Sequence, residues 1–357
     1  MHRLIIGISL SIIFSVSAQA EDKTENVILI TYDGLRNQEL FGGIDHRLMK
    51  KVKKKERLTT QFVRETDEQE REALLPFFWN TITKEGQVWG NLGTNSKVRV
   101  VNKQVFSYPG YNEILTGRPN PAITSNAKIN NKNITVLEWL NQQPGFNNRV
   151  EAFASWDVFP YIINEDRSGV PVNAGWEAFT DMGDKTKQDQ LNMLNRELPQ
   201  MWDSVRYDVM TFEGAMDAII HHKPRVLYIG FGETDDWAHE GRYDLYIESA
   251  HKTDVYIQRI WEKVQSMPEY AGKTTLILTT DHGRGDTDPE WKSHGKKIDG
   301  AEYIWTAMIG PDTPAKGVLK NTSTTQGQVA ATIAAALGLD FRKDHPEAAP
   351  ALAISSK

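Results

Sequence analysis

Apolar, β-branched stretches of strand length recur along the chain at residues 27–31, 98–101, 150–154, 226–230, 275–280 and 303–309. Between several of them, apolar positions fall at helical spacing, over 134–142, 243–267 and 326–337. Strands that are apolar throughout are buried on both faces, and strands alternating with helices build a parallel sheet covered by helices on either side. The pattern predicts a three-layer α/β/α sandwich with a mostly parallel central sheet. No Pro/Gly/Ser linker interrupts the alternation, so residues 21–357 read as one domain.

Four stretches depart from the pattern. Residues 45–75 form a charged excursion, basic through His46-Arg47-Leu48-Met49-Lys50-Lys51-Val52-Lys53-Lys54-Lys55 and acidic from Glu65 to Glu72, expected to be a solvated helix or excursion with charge pairing along its faces; a basic docking patch is the alternative, disfavoured because the acidic half would cancel most of its field. Residues 167–202, rich in Gly, Asp, Asn and Gln, predict loop and short helix near the site, and the segment beyond Asp340 is expected to fray. Residues 1–20 carry a basic start, an apolar run shorter than the roughly 20 residues a bilayer needs, and Ala18-Gln19-Ala20. This predicts a secretory signal cleaved after Ala20, a periplasmic or secreted product, and no stable membrane insertion afterwards.

Composition narrows the chemistry. The 357 residues contain 41 Lys+Arg against 47 Asp+Glu, a formal charge of -6, so nothing draws the whole molecule toward a nucleic-acid duplex or anionic lipid. An anionic substrate must be attracted locally. The chain has no cysteine, which excludes thiol nucleophiles, thiolate metal sites and disulfides and leaves O and N ligands.

Such ligands cluster where an open α/β sheet places function, just past the carboxyl ends of strands. Asp33-Gly34 follows the first apolar run, Asp235-Asp236-Trp237-Ala238-His239 follows the fourth and Asp281-His282-Gly283 follows the fifth, while His294-Gly295 precedes the last. Asp235 and His239, four apart, share a face if helical. Three Asp and three His make a mixed set suited to Zn²⁺ or Mn²⁺, too rich in nitrogen for Ca²⁺ or Mg²⁺, and enough for two ions with an open position on each. Ser107 stands just ahead of Pro109, a favoured first-turn residue, which places its hydroxyl at a helix amino end where an alkoxide costs less.

The ordered set Asp33, Ser107 before Pro109, Asp235-x-x-x-His239, Asp281-His282-Gly283 and His294-Gly295 resembles the alkaline phosphatase superfamily, especially its nucleotide pyrophosphatase/phosphodiesterase branch. The resemblance implies one metal on Asp235, His239 and His294, and a second on Asp33, Asp281 and His282 with the Ser107 oxygen. It implies Ser107 as the nucleophile, where many members of that branch use Thr, and a phosphoseryl intermediate in hydrolysis of a small-molecule phosphate mono- or diester. It also implies an Asn donor to the phosphoryl group, for which Asn126 is the choice and Asn130 the second, working with the backbone N–H after Ser107. Trp156, Phe159 and Tyr161 occupy the place of the leaving-group wall, as stacking surfaces or as core. Arg167 is a candidate cation for the extra charge of a monoester, with pairing to Glu165 or Asp166 the competing role.

Three other functions compete. A metal-dependent phosphomutase of the same superfamily uses similar ligands, but cytoplasmic sugar-phosphate metabolism conflicts with the expected export signal. A sulfatase shares the fold but requires a Cys/Ser-x-Pro-x-Arg frame, and Tyr111 stands where that Arg belongs. A non-catalytic metal-binding surface protein would need neither a nucleophile nor an open coordination position.

Overall fold

The computed structural model describes residues 23–354, so the signal expected over residues 1–20 lies outside it. The chain forms an α/β fold around an eight-stranded sheet. Its strands are β1 (Asn26–Tyr32), β2 (Gln87–Trp89), β4 (Val150–Ala154), β5 (Val172–Ala174), β6 (Val226–Phe231), β7 (Thr274–Thr280), β9 (Thr306–Ile309) and β10 (Gly317–Val318), in the order β10-β2-β9-β7-β1-β6-β4-β5. Pairing is parallel except where β9 lies between β2 and β7. The short strands β3 (Lys97–Arg99), β8 (Tyr303–Ile304) and β11 (Ser323–Thr325) make a separate three-stranded sheet, so the apolar run at 303–309 is divided between two sheets.

The central strands are buried on both faces, as their sequences require. Along β1, Ile28, Ile30 and Tyr32 enter one apolar core and Val27 and Leu29 enter the other. β6 alternates likewise, with Leu227 and Ile229 on one side and Val226 and Tyr228 on the other. Each such side chain contributes about 1.5–3 kcal/mol by leaving water, so β1, β6 and β7 form a stiff platform for whatever follows their ends.

The charged excursion folds into short helices, His46–Met49, Glu56–Phe62 and Asp67–Leu74, pinned to the core by Leu48, Leu58, Phe62 and Leu74. Residues 185–197 form a helix of 13 residues, longer than expected, because the Asp184 side chain caps the Lys187 N–H and Leu191 is buried. Residues 341–354 do not fray: Phe341, Ala348 and Leu352 are buried, and the Leu352 N–H donates to Thr332 Oγ1 at 2.8 Å.

Candidate metal centre

Three neighbouring parallel strands carry the site. β1 ends at Tyr32 and delivers Asp33; β7 ends at Thr280 and delivers Asp281 and His282; β6 passes through Gly232 into the helix Glu233–His239, which bears Asp235 and His239. Because β7, β1 and β6 are adjacent and in register, these residues meet at one edge. Two glycines allow the close packing. Gly34 has φ +61°, and a Cβ there would lie 2.9 Å from Arg284 Nε and 3.1 Å from His282 Cε1. A Cβ on Gly110 would lie 2.5 Å from the Asp281 carbonyl oxygen, so the helix Ser107–Thr116 reaches the end of β7 only with glycine at that position.

Ser107 opens that helix after a tight turn. Val105 has φ +53°, a conformation that costs a β-branched residue on the order of 1–3 kcal/mol and persists only when its surroundings enforce it. Here Asn102 Oδ1 accepts the Val105 N–H at 2.9 Å, and Glu113, on the same helix as Ser107, accepts the Asn102 N–H at 2.8 Å. The turn is thereby tied to the helix it introduces. Ser107 is buried, and its Oγ lies 3.5 Å from His282 Nε2.

His282 Nε2 is the hub of the cluster. It lies 3.4 Å from Asp33 Oδ1, 3.3 Å from Asp281 Oδ2 and 3.7 Å from Asp235 Oδ1. Its Nδ1–H donates to the Gly283 carbonyl at 2.9 Å, which leaves the Nε2 lone pair facing the carboxylates. His294 is held the same way by the Val105 carbonyl at 3.3 Å, and its ring stacks on that of His282 with centroids 3.8 Å apart. His239 Nε2 reaches Asp235 Oδ2 at 3.1 Å and His294 Nε2 at 3.0 Å. Two ligand groups emerge, Asp235-His282-His294 and Asp33-Asp281-His282. Five of the six expected ligands fall in these groups, with His282 in both instead of belonging to one, while His239 lies outside them and touches the first through Asp235 and His294.

The donor set fits divalent cations. Asp33 Oδ1 and Asp281 Oδ2 are buried and have no hydrogen-bond partner among the described residues. Burial and the neighbouring Asp235 charge push the Asp33 carboxyl well above its usual range, and burial and Asp33 do the same to Asp281. Burial would raise Asp235 too, but Arg284 and His239 hold it well below. Burial, reinforced by His282, pushes His294 well down, so its imidazole is neutral and ready to ligate. Three carboxylates this close cannot all ionise without added positive charge.

Arg284 had no role in the sequence reading. It is fully buried, and it donates to the Asp235 carbonyl at 3.0 Å and to Asp235 Oδ1, fixing that ligand. Its signal was a lone basic residue two positions past His282. Tyr111 was also missed as a support: its hydroxyl donates to Asp33 Oδ2 at 2.9 Å.

Other expectations resolve differently. Asn126 Oδ1 accepts the Tyr108 N–H at 3.0 Å, which brings Asn126 beside Ser107 but commits the very backbone donor expected to bind the phosphoryl group. Asn130 turns away to Asp166 at 3.2 Å. Phe159 is core, packed on Tyr111 and Tyr228, whereas Trp156 is half-buried, with its ring 6.5 Å from that of Tyr111. Arg167 pairs with neither Glu165 nor Asp166. It makes two 2.7 Å bonds to buried Glu138 and donates to the Asn131, Lys132 and Asn133 carbonyls, leaving no N–H for a substrate. Arg167→Ala is therefore expected to lower stability by about 1–3 kcal/mol, because Glu138 is stranded, and to leave the ratio of monoester to diester turnover unchanged; thermal denaturation and parallel assays check both.

No curated protein matches the chain in sequence. Residues 203–341 match a family model described as the Metalloenzyme superfamily. Among solved structures, the alkaline phosphatase PafA shares 11% identity at a TM-score of 0.57, covering 89% of this chain and 96% of its own. Murine ectonucleotide pyrophosphatase/phosphodiesterase 5, an inactive variant in complex with AMP, shares 12% at 0.56, covering 92% and 96%. A 2-O GAG sulfatase shares 12% at 0.56, covering 92% and 73%. The chain has the fold of the alkaline phosphatase superfamily, and its Metalloenzyme superfamily segment contains Asp235, His239, Asp281, His282 and His294.

Proposed function

We propose that this protein is a phosphoric ester hydrolase in which Ser107 is the nucleophile and the six Asp and His side chains hold two divalent ions, most simply Zn²⁺, with Mn²⁺ the alternative. The observation that carries this reading is the approach of Ser107 Oγ to within 3.5 Å of His282 Nε2, in a pocket that also holds the unpartnered oxygens of Asp33 and Asp281. Bound there, divalent ions supply Lewis-acid charge that stabilises an alkoxide and a departing oxygen.

The rest falls to the chain itself. The helix amino end favours negative charge at Ser107 Oγ. Its oxygen forms a bond to phosphorus as the ester P–O bond breaks; the leaving group departs as an alcohol once protonated. Water then cleaves the phosphoseryl bond and restores the hydroxyl. Because Asn126 Oδ1 is held by the Tyr108 N–H, its Nδ2 hydrogens are free to donate to an equatorial phosphoryl oxygen. Trp156, half-buried near Tyr111, and Tyr161, also half-buried, are the aromatic surfaces left for the leaving group.

p-Nitrophenyl phosphate, its bis ester and an aryl sulfate, assayed side by side, test the reading. Phosphate ester turnover is expected to exceed sulfate turnover; the reverse order would favour the sulfuric ester alternative. Asn126→Ala is expected to lower kcat/KM by about 100- to 1,000-fold, the scale of losing one donor to transition-state charge, with metal content unchanged. An unchanged rate would remove Asn126 from the mechanism.

A further inference from the structure

We propose that a groove beside His239 binds a second anionic group of the substrate, which places the natural substrate among esters whose leaving group carries a further phosphate-type charge. This rests on the phosphate ester reading above.

The metal centre opens on one side. The His239 side chain is 46% exposed, whereas those of Asp281 and His282 are fully buried. The residues directly after His239 form one wall of a groove of about 740 Å³ that includes Arg242. Lys292, two residues before His294, lines the same groove beside them: a Cβ on Gly241 would lie 3.1 Å from its Cδ, and the neighbouring Trp291 ring meets Tyr243 edge-on at 5.5 Å. Two residues of chain span at most about 7 Å and three about 11 Å, so Lys292 and Arg242 stand that close to metal ligands. The basic half of the charged excursion, with Lys51, Lys53 and Lys54, lines the groove as well.

The charges do not cancel. Arg242 is paired with Asp244 and Lys51 with Asp288. Lys53, Lys54 and Lys292 have no carboxylate partner among the described residues; of the three carboxylates lining the groove, Asp244 and Asp288 are taken up in those two pairs and Glu240 is left. The acidic half of the excursion, expected to neutralise them, lines a different cavity through Glu65 and Glu72. A chain of net charge -6 thus presents a cationic surface at the open side of its metal centre, a geometry that attracts and orients an anion.

The test is calorimetric binding of glucose 6-phosphate and glucose 1,6-bisphosphate to the zinc-loaded Ser107→Ala protein, which cannot form the phosphoseryl bond. The bisphosphate is expected to bind about tenfold more tightly, the scale of two or three partly exposed ion pairs. That advantage should shrink in about 0.5 M salt, where screening acts within roughly 4 Å. It should vanish in Lys53→Gln/Lys54→Asn/Lys292→Gln, while glucose 6-phosphate affinity stays unchanged. Equal binding of both sugars to the parent, or a preference that survives in the triple variant, would overturn the groove. Failure to bind either sugar would instead sink the phosphate ester reading on which it rests.

Discussion

Replacing Ser107 by alanine is expected to lower aryl phosphate turnover by at least about a thousandfold, equivalent to roughly 4 kcal/mol on the barrier, without loss of bound metal. The reason is local. Ser107 is the first residue of its helix, at the end of a turn in which Val105 is held in a costly conformation through Asn102 and Glu113. That turn aims one hydroxyl at the His282 hub, and alanine removes its oxygen while leaving all six Asp and His side chains in place. Ser107→Thr keeps a hydroxyl and should retain a measurable part of the rate. If the alanine variant turned over at the parental rate, attack would come directly from water and Ser107 would be no more than a helix-start residue.

Replacing His282 by alanine should have the broadest effect of any single ligand change. Its Nε2 lies within 3.7 Å of oxygens from Asp33, Asp281 and Asp235, so both ligand groups depend on it. Loss of both ions from the purified variant is expected, with activity lowered by more than about a thousandfold. The buried carboxylates left without compensation should also lower thermal stability. His239→Ala makes the contrast: His239 touches Asp235 and His294 only, so that variant should retain about one ion per chain. Metal analysis of the two variants distinguishes a shared hub from two independent sites; equal losses in both would rule out the hub.

Much of this was legible in the sequence because β1, β6 and β7 are built around apolar runs, are buried along their whole length, and are each followed by a candidate Asp. Asp33, Asp235 and Asp281 follow strands that prove to be neighbours, so strand-end position alone brings them together. What stayed hidden depends on contacts between distant segments. Arg167 is neutralised by Glu138, 29 residues earlier, which nothing in its own loop suggests. The Tyr108 N–H is taken by Asn126, and Arg284 turns inward onto Asp235 instead of out to solvent. The helix at 185–197 has few apolar positions to advertise it, and the last segment docks through single residues, Phe341 and Leu352, too sparse to form a pattern. The charged excursion keeps one pair between its halves, His46 with Glu70, but its lysine run and the acidic residues Glu65 and Glu72 line different cavities, which their closeness in sequence does not suggest.

The central claim, that Ser107 is phosphorylated during turnover, is tested most directly by quenching the metal-loaded protein in acid while it hydrolyses an aryl phosphate ester and locating the modification by peptide mass spectrometry. A phosphoryl group on Ser107, absent when substrate is omitted, is the expected result. Ongoing ester hydrolysis with Ser107 unmodified, or with the phosphoryl group on another side chain, would contradict it.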